Sequence, residues 1–224
     1  MIRVFIGYDS RMPALSSVLA HSVNARASQP VAVTLLSLTQ LGTIYLRERN
    51  ALQSTEFSFS RFLVPYLCDY TGWGIFMDND ILALDDIAKL WELRDDSYAV
   101  QVVKRDHRPK EETKFLGEKQ TTYDKKNWSS VMLFNNARCN ALTPEYVNSA
   151  SGLDLHQFKW LGNDSLIGEI PHRWNHLVGY DTPDPDASLV HYTVGGPYFK
   201  EYTDCEHAQD WRDACNDMLR VMQG

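Results

Sequence analysis

Runs of apolar residues separated by a helical pattern predict alternating strands and helices from the start of the chain. Residues 2–7 are rich in β-branched and aromatic side chains, which is typical of a strand that is buried on both faces. Residues 13–27 carry apolar side chains at helical spacing, and residues 30–38 form a second apolar run that predicts another buried strand. This β-α-β order indicates a Rossmann-like α/β domain.

The same reasoning extends to the rest of the chain. Later elements are predicted at residues 58–68 (helix), 73–77 (strand), 87–93 (short helix), 98–103 and 131–135 (strands), 156–167, 189–191 and 211–222 (an amphipathic terminal helix). Residues 104–126 are polar and rich in charge, which predicts a long loop or a mobile lid. The length suits a single domain over residues 1–224.

An acidic pair follows the third predicted strand, because Asp78, Asn79 and Asp80 stand directly after its apolar run. In open α/β sheets, ligands bind beyond the carboxyl ends of the strands. Two carboxylates one residue apart in a turn can reach one hard cation such as magnesium or manganese. Such an ion keeps positions open for phosphate oxygens and neutralises a departing diphosphate. The alternative is a solvated turn that caps the next helix.

Composition narrows the range of partners. The formal net charge of -7 argues against a protein that holds nucleic acid on a basic surface. A nucleotide ligand stays compatible with this charge, because a bound cation can neutralise a diphosphate locally. The four cysteines form no CxxC pair, and we expect free thiols. No apolar run approaches the roughly 20 residues of a membrane span. We therefore expect a cytoplasmic protein, with peripheral association at the inner membrane left open.

A phosphatase of the haloacid dehalogenase type is the rival interpretation of the acidic pair. Such enzymes also place Asp-x-Asp after an apolar strand, and the first Asp is the nucleophile. Their motif normally lies near the start of the chain and is followed by Thr or Val. Here a β-α-β unit precedes the motif and Ile81 follows it. The phosphatase interpretation is therefore kept as an alternative.

The order of short motifs along the chain resembles a known group of enzymes. The motifs are Tyr8-Asp9 after the first strand, Arg61 on a helix, then MDND, WSSVMLFN, GNDSLIG and LVHYT. This order is similar to that of retaining GT-A glycosyltransferases of family eight, which include bacterial enzymes that build surface polysaccharides. The similarity covers about residues 2–198 and implies the GT-A fold, a Rossmann-like mixed sheet.

The resemblance implies a nucleotide site near the end of the first strand and on the helix with Arg61. Tyr8 matches a position that can stack on uracil, and Asp9 matches a carboxylate that accepts a base N–H. The alternative for Asp9 is an N-cap of the following helix. Arg61 matches an arginine that contacts the donor, since a guanidinium suits phosphate and sugar oxygens. The alternative for Arg61 is a surface salt bridge.

The resemblance also implies a third metal ligand. His191 matches a histidine that binds manganese, or magnesium, beside the two carboxylates Asp78 and Asp80. The pair Gly195-Gly196 follows, and a glycine backbone can approach phosphates closely.

Three departures from the family pattern concern the donor. Ser129 and Ser130, after Trp128, stand where the family often has Asn-Ala-Gly, so we expect altered contacts with the sugar. Asp164 stands where a glutamine often lies near the anomeric carbon. Residues 196–198 replace the usual Lys-Pro-Trp, and the lysine that clamps phosphate is missing.

These features predict transfer of a hexose from a UDP-sugar to the hydroxyl of a glycan or glycoconjugate. We expect Asp164 to face the anomeric carbon, Arg61 to act with it in catalysis, and Asn79 to contact the donor. Retention of configuration is implied by the resemblance alone. Residues 104–126 are expected to form the acceptor site. A non-catalytic module that binds a nucleotide sugar is the remaining alternative.

Overall fold

The secondary structure alternates strands and helices, as the apolar pattern predicts. The computed structural model describes residues 1–49, 53–106 and 123–220. Its strands are β1 (Ile2–Gly7), β2 (Val31–Leu36), β3 (Trp73–Met77), β4 (Ile81–Ala83), β5 (Val100–Val102), β6 (Val131–Asn135), β7 (Ile167–Glu169), β8 (His176–Leu177) and β9 (Leu189–His191). Its α-helices are α1 (Pro13–Arg26), α2 (Leu38–Leu41), α3 (Val64–Leu67), α4 (Ile87–Glu92), α5 (Pro144–Ser149), α6 (Gly152–His156) and α7 (Ala208–Leu219).

Six of the strands form a mixed sheet in the order β2-β1-β3-β6-β5-β7. Strands β2, β1 and β3 are parallel, β6 runs antiparallel to both of its neighbours, and β7 is parallel to β5. The parallel part ends with the carboxyl termini of β1 and β3 at one edge. Residues that follow these two strands are therefore brought together there.

A second, three-stranded sheet in the order β4-β9-β8 lies next to that edge. Strand β4 begins immediately after Asp80 and pairs antiparallel with β9, which sets Ile81 opposite His191. Strand β8 pairs parallel with the other side of β9. This small sheet was not predicted. Its pairing of β4 with β9 brings Asp80, the last residue of the acidic turn, close to His191.

Both faces of the main sheet are covered. Within β1 and β3, Phe5 and Phe76 pack into one hydrophobic cluster while Ile6 and Met77 pack into another on the opposite face. Because neighbouring strand residues point to opposite faces, this division shows that each face has its own apolar cover. At the end of β1, a side chain on Gly7 would collide with the Phe57 ring, since its Cβ would lie 2.3 Å from a ring carbon.

Most predicted elements are confirmed, and the differences have physical causes. Strand β2 is confirmed in position but only Leu36 in it is buried, because it is the edge of the main sheet and has a neighbour on one side only. The helix predicted at residues 58–68 is a 3₁₀ turn, Ser60–Leu63, followed by the one-turn helix α3. The terminal helix α7 begins three residues earlier than predicted.

Three further points concern the cysteines, the helices and the polar segment. All four cysteines are free. Among the described residues, no helix combines the length and the apolar character that a membrane crossing requires. Most of the polar segment at 104–126, namely residues 107–122, lies outside the described residues.

Candidate active site

The acidic turn after β3 and the histidine of β9 meet at the edge of the main sheet. Asp78, Asp80 and His191 each offer one ligand atom, and these atoms lie within 4.8 Å of one another. The Nε2 atom of His191 is 3.3 Å from a carboxylate oxygen of Asp80. The sequence prediction that these three residues form one cluster is therefore matched by the geometry.

His191 is held in place from its other side. Its Nδ1 atom lies 3.0 Å from the side-chain oxygen of Asn175, in the 3₁₀ turn just before β8. Both residues are buried. A partner on the second ring nitrogen is the usual way in which a metal-binding histidine is oriented, because it fixes which nitrogen points at the ion. Asn175 was missed by the sequence analysis, since a single Asn carries no pattern.

Asp78 forms an ion pair with Arg61. A guanidinium nitrogen of Arg61 lies 2.6 Å from the Asp78 carboxylate and donates a hydrogen bond to the Ser129 carbonyl at 2.9 Å. The guanidinium also lies near the rings of Phe57 and Phe76, at 5.3 and 5.0 Å from their centroids. Arg61 is 5% exposed, so the alternative of a surface salt bridge is wrong.

The donor set of this cluster suits a hard divalent cation. Two carboxylates and one imidazole are ligands that manganese and magnesium sites use. Asn79, between the two carboxylates, is buried, and its side-chain nitrogen has no hydrogen-bond partner in the part of the chain that the structure describes. Buried polar atoms normally have partners. An unpaired amide donor at this turn is therefore suited to an oxygen of a bound ligand.

A third carboxylate lies at the end of β1, close to the sheet edge. Asp9 is fully buried and accepts hydrogen bonds from the Arg11 side chain at 2.9 and 2.7 Å and from the Glu56 backbone N–H at 3.3 Å. Burial raises the pKa of Asp9, but the bonds from Arg11 outweigh it and hold that pKa below its usual value. The N-cap of α1 is Met12, so the N-cap alternative for Asp9 is wrong.

Tyr8 precedes Asp9 and is partly exposed at the same edge. The predicted contacts of Tyr8 and Asp9 with a nucleotide base stay predictions. Asp9 can take part only together with Arg11, because that guanidinium already occupies both of its oxygens.

Ser129 and Ser130 lie in the 3₁₀ turn that leads into β6, and both are buried. The Ser129 hydroxyl is 2.8 Å from Nδ1 of His156, and the Ser130 hydroxyl donates to the carbonyl of Asn127 at 3.0 Å. Burial, together with the positive charge of Arg61, lowers the pKa of His156 to about 3. His156 is therefore neutral at physiological pH.

His156 is a site residue that the sequence analysis did not single out. Its ring packs against Phe59, Phe62 and Tyr123, at centroid distances of 5.9, 5.3 and 6.0 Å. Burial raises the pKa of Tyr123 to about 12, with Asp78 adding to the effect and Arg61 opposing it. Tyr123 is therefore close to the acidic turn, and it is the first described residue after the gap.

Asp164 lies at the start of a 3₁₀ turn, Asp164–Leu166, and its side chain is 71% exposed. Its carboxylate is 2.5 Å from the ammonium group of Lys125, which also donates to the carbonyl of Gln157 at 2.9 Å. The cap of this turn is Asn163, whose side-chain oxygen accepts the Ser165 N–H at 2.9 Å. The alternative in which Asp164 caps the turn is therefore wrong.

Gly195 and Gly196 have close neighbours that explain why they are glycines. Gly195 has φ 152°, and a Cβ there would lie 2.4 Å from the ring of Tyr202. A Cβ on Gly196 would lie 2.5 Å from the ring of Tyr198. Both tyrosine rings thus cover the backbone after β9. Contact of these glycines with phosphate stays a prediction.

Tyr198 stands where the resembled family has tryptophan. Its hydroxyl is buried without a hydrogen-bond partner among the described residues. Burial raises the pKa of Tyr198 well above its usual value, and the nearby charge of Asp80 raises it further. The hydroxyl is therefore a neutral donor close to the acidic turn.

Comparison with known proteins identifies the fold. No family profile matches the chain. Protein CDI of Arabidopsis thaliana is 46% identical over 218 residues, which cover 93% of this chain and 84% of that protein.

Two solved structures superpose on nearly the whole chain. The bifunctional glycosyltransferase WbbM gives a TM-score of 0.68 at 14% identity over 96% of this chain, which spans 49% of WbbM. The galactosyltransferase LgtC, in complex with donor and acceptor sugar analogs, gives a TM-score of 0.60 at 13% identity, covering 99% of this chain and 98% of LgtC. At these identities the likeness concerns the fold, and it confirms the predicted GT-A fold.

Proposed function

The chain belongs to the same family as Protein CDI of Arabidopsis thaliana, and on its GT-A fold and its acidic site we propose that it is a metal-dependent glycosyltransferase. The donor is a UDP-hexose and the acceptor is a hydroxyl group of a glycan or glycoconjugate. The observation that carries the proposal is the meeting of Asp78, Asp80 and His191 within 4.8 Å at the ligand-binding edge of the sheet. Retention of configuration rests on the family resemblance.

Asp78, Asp80 and His191 would hold the cation, manganese or magnesium. When bound, the ion supplies positive charge to the diphosphate that leaves the sugar. Asn175 keeps Nε2 of His191 directed at Asp80. Asn79 donates a hydrogen bond to the donor from its side-chain nitrogen, which has no partner among the described residues.

Arg61 acts as a positioning residue for Asp78 and would add positive potential to the site of the diphosphate. Its bond to the Ser129 carbonyl links the acidic turn to the turn that precedes β6. Because the pair is buried, its attraction is screened less by water than that of a surface pair. The side chain therefore fixes one metal ligand before the donor arrives.

Asp164 is proposed as the carboxylate that stabilises positive charge at the anomeric carbon. Lys125, whose side chain is 12% exposed, holds it from one side.

We expect Asp164→Asn to lower kcat by about 100-fold, which corresponds to about 3 kcal/mol of transition-state stabilisation. The KM of the donor should change little, because the positive charge exists mainly in the transition state. Steady-state kinetics with the donor varied measure both constants. The matched control is Asp186→Asn, an exposed carboxylate in the loop before β9. Near-normal turnover of Asp164→Asn would remove Asp164 from the catalytic site.

A screen of nucleotide sugars tests the proposed function directly. UDP-hexoses with manganese should raise the melting temperature, since a ligand that binds only the native state stabilises it by about 2.7 kcal/mol at 100 times its Kd. The same mixtures should release UDP by donor hydrolysis. Chelation of the metal should remove most of both effects.

The alternatives give different outcomes in the same screen. Stabilisation without release of UDP from any donor would favour a binding module. Greater stabilisation by a guanine or cytosine nucleotide would contradict the UDP assignment. Turnover of a simple phosphomonoester would favour a phosphatase, an interpretation that the GT-A fold does not support.

A further inference from the structure

A second cluster of potential metal ligands lies away from the acidic turn. His176 begins β8, and Glu206 and His207 directly precede α7. Each residue offers one donor atom, and these atoms lie within 4.8 Å of one another. The cluster contains two imidazoles and one carboxylate, whereas the acidic turn offers two carboxylates and one imidazole.

The separations within this cluster are close to those around a tetrahedral ion. The Nε2 atom of His176 is 3.1 Å from one oxygen of Glu206, and Nε2 of His207 is 3.6 Å from the other. Zinc ligands at about 2.0–2.1 Å from the ion lie about 3.3 Å from one another in tetrahedral geometry. Both distances are close to that value, but they involve different oxygens of Glu206, so the carboxylate has to turn for one oxygen to face both rings around an ion.

Carboxylates stand behind both imidazoles. Nδ1 of His207 is 2.8 Å from Asp210, within hydrogen-bond distance, whereas Nδ1 of His176 is 3.9 Å from Asp181, beyond it, and Asp181 is bonded to Arg105. Metal-binding histidines commonly have a carboxylate on the second ring nitrogen, which orients the ring and raises its basicity. In each ring of this cluster, Nε2 faces Glu206 and Nδ1 faces a different carboxylate.

The backbone of His207 has a left-handed conformation. It has φ 57°, a left-handed conformation that is uncommon outside glycine. The Tyr192 hydroxyl donates to the His207 carbonyl at 2.8 Å and helps to hold this conformation. His207 is also the residue before the first turn of α7 and offers no side-chain cap to it.

We propose that His176, Glu206 and His207 form a second metal site that binds a zinc-class ion. Two imidazoles and one carboxylate are a donor set used by zinc, whereas the oxygen-rich acidic turn suits manganese or magnesium. Three protein ligands leave a fourth position for water or another small ligand. This inference stands independently of the proposed transferase activity.

The site joins two parts of the fold. His176 lies on β8, next to Asn175, which positions His191 of the acidic site. Glu206 and His207 lie at the start of α7, the last helix of the described chain. An ion bound here ties the start of α7 to the small sheet that carries His191. Zinc should therefore stabilise the C-terminal part of the fold.

The proposal is tested with tag-free full-length protein that has been stripped with a chelator, dialysed against zinc and passed through a desalting column. Bound zinc is then measured by elemental analysis in the wild type, in Glu206→Gln and in Asp80→Asn. Glu206→Gln keeps an oxygen that can accept from His176, so its circular dichroism without metal should match that of the wild type. We expect Asp80→Asn to retain tight zinc at the second site and Glu206→Gln to lose one equivalent.

A graded variant separates a metal site from a plain hydrogen-bonded cluster. Asp210→Asn leaves all three ligands in place and alters only the carboxylate behind His207. It should weaken zinc binding by about 10–100-fold, as changes behind a metal ligand do. Cobalt in place of zinc should give the visible spectrum of a tetrahedral site in the wild type and lose it in Glu206→Gln. Equal zinc content in Glu206→Gln and wild type, or no zinc in either, would overturn the proposal.

Discussion

Asp80→Asn is expected to lower kcat/KM for sugar transfer by about 1,000-fold or more, equivalent to about 4 kcal/mol of transition-state stabilisation. Asp80 provides one of two carboxylates in the cluster and lies 3.3 Å from Nε2 of His191. An amide of the same shape keeps the packing but loses the negative charge that attracts a divalent ion. The loss should appear in steady-state kinetics at every manganese concentration that the protein tolerates.

The stability of the Asp80→Asn protein should be unchanged or higher without metal. The backbone carbonyl of Asp80 still accepts from the Tyr192 N–H, and the repulsion between two close carboxylates is reduced. Asp186→Asn, which removes an exposed carboxylate from the loop before β9, serves as the charge-matched control and should retain its activity. Activity of Asp80→Asn within ten-fold of the control under saturating manganese would be incompatible with a metal site at this turn.

The main sheet could be predicted from the sequence because its strands are continuous apolar runs. Strands β1, β3 and β6 alternate their side chains between two hydrophobic clusters, and every residue of β3 and β6 is buried. Such runs are typical of strands that are covered on both faces. The same logic was wrong for the exposure of β2, because an edge position is a property of the whole sheet and has no local pattern.

The small sheet could not be predicted in the same way. Strands β4 and β8 are three and two residues long, which is too short for a period of two to be recognised, and the element predicted at 189–191 carried no sign that it pairs with them. The register that sets Ile81 opposite His191 joins residues far apart in the chain. The family resemblance indicated His191 as a metal ligand, but the residue that orients it, Asn175, required the folded structure.

The partners of predicted site residues also required the structure. Arg61 was expected to contact the donor, and in the structure it forms an ion pair with Asp78. Asp9 was expected at the nucleotide base, and it is bound by Arg11 two residues later. A sequence motif indicates the kind of side chain that a site needs, whereas the ion pairs among these side chains depend on how helix and strand ends meet.

Arg61→Met is the second substitution with a large expected effect, and it should act on stability as well as on activity. Removing one partner of a buried ion pair leaves the other charge uncompensated, which typically costs about 3–5 kcal/mol. The Asp78 side chain is 15% exposed, so most of this penalty should apply. In the absence of metal, thermal unfolding should therefore occur at a clearly lower temperature than in the wild type. The kcat/KM for sugar transfer should fall by about 100-fold or more, because Asp78 is no longer fixed as a metal ligand.

Manganese distinguishes this effect from simple loss of packing. In Arg61→Met the ion becomes the main positive partner of Asp78, so manganese should raise the melting temperature of the variant more than that of the wild type. The matched control is Arg11→Met, which removes the guanidinium from another buried carboxylate, Asp9, at the end of β1. That variant should also lose stability, but manganese should stabilise it no more than it stabilises the wild type. An equal manganese shift in Arg61→Met and Arg11→Met would show that Asp78 is not a metal ligand, whatever the activity of either variant.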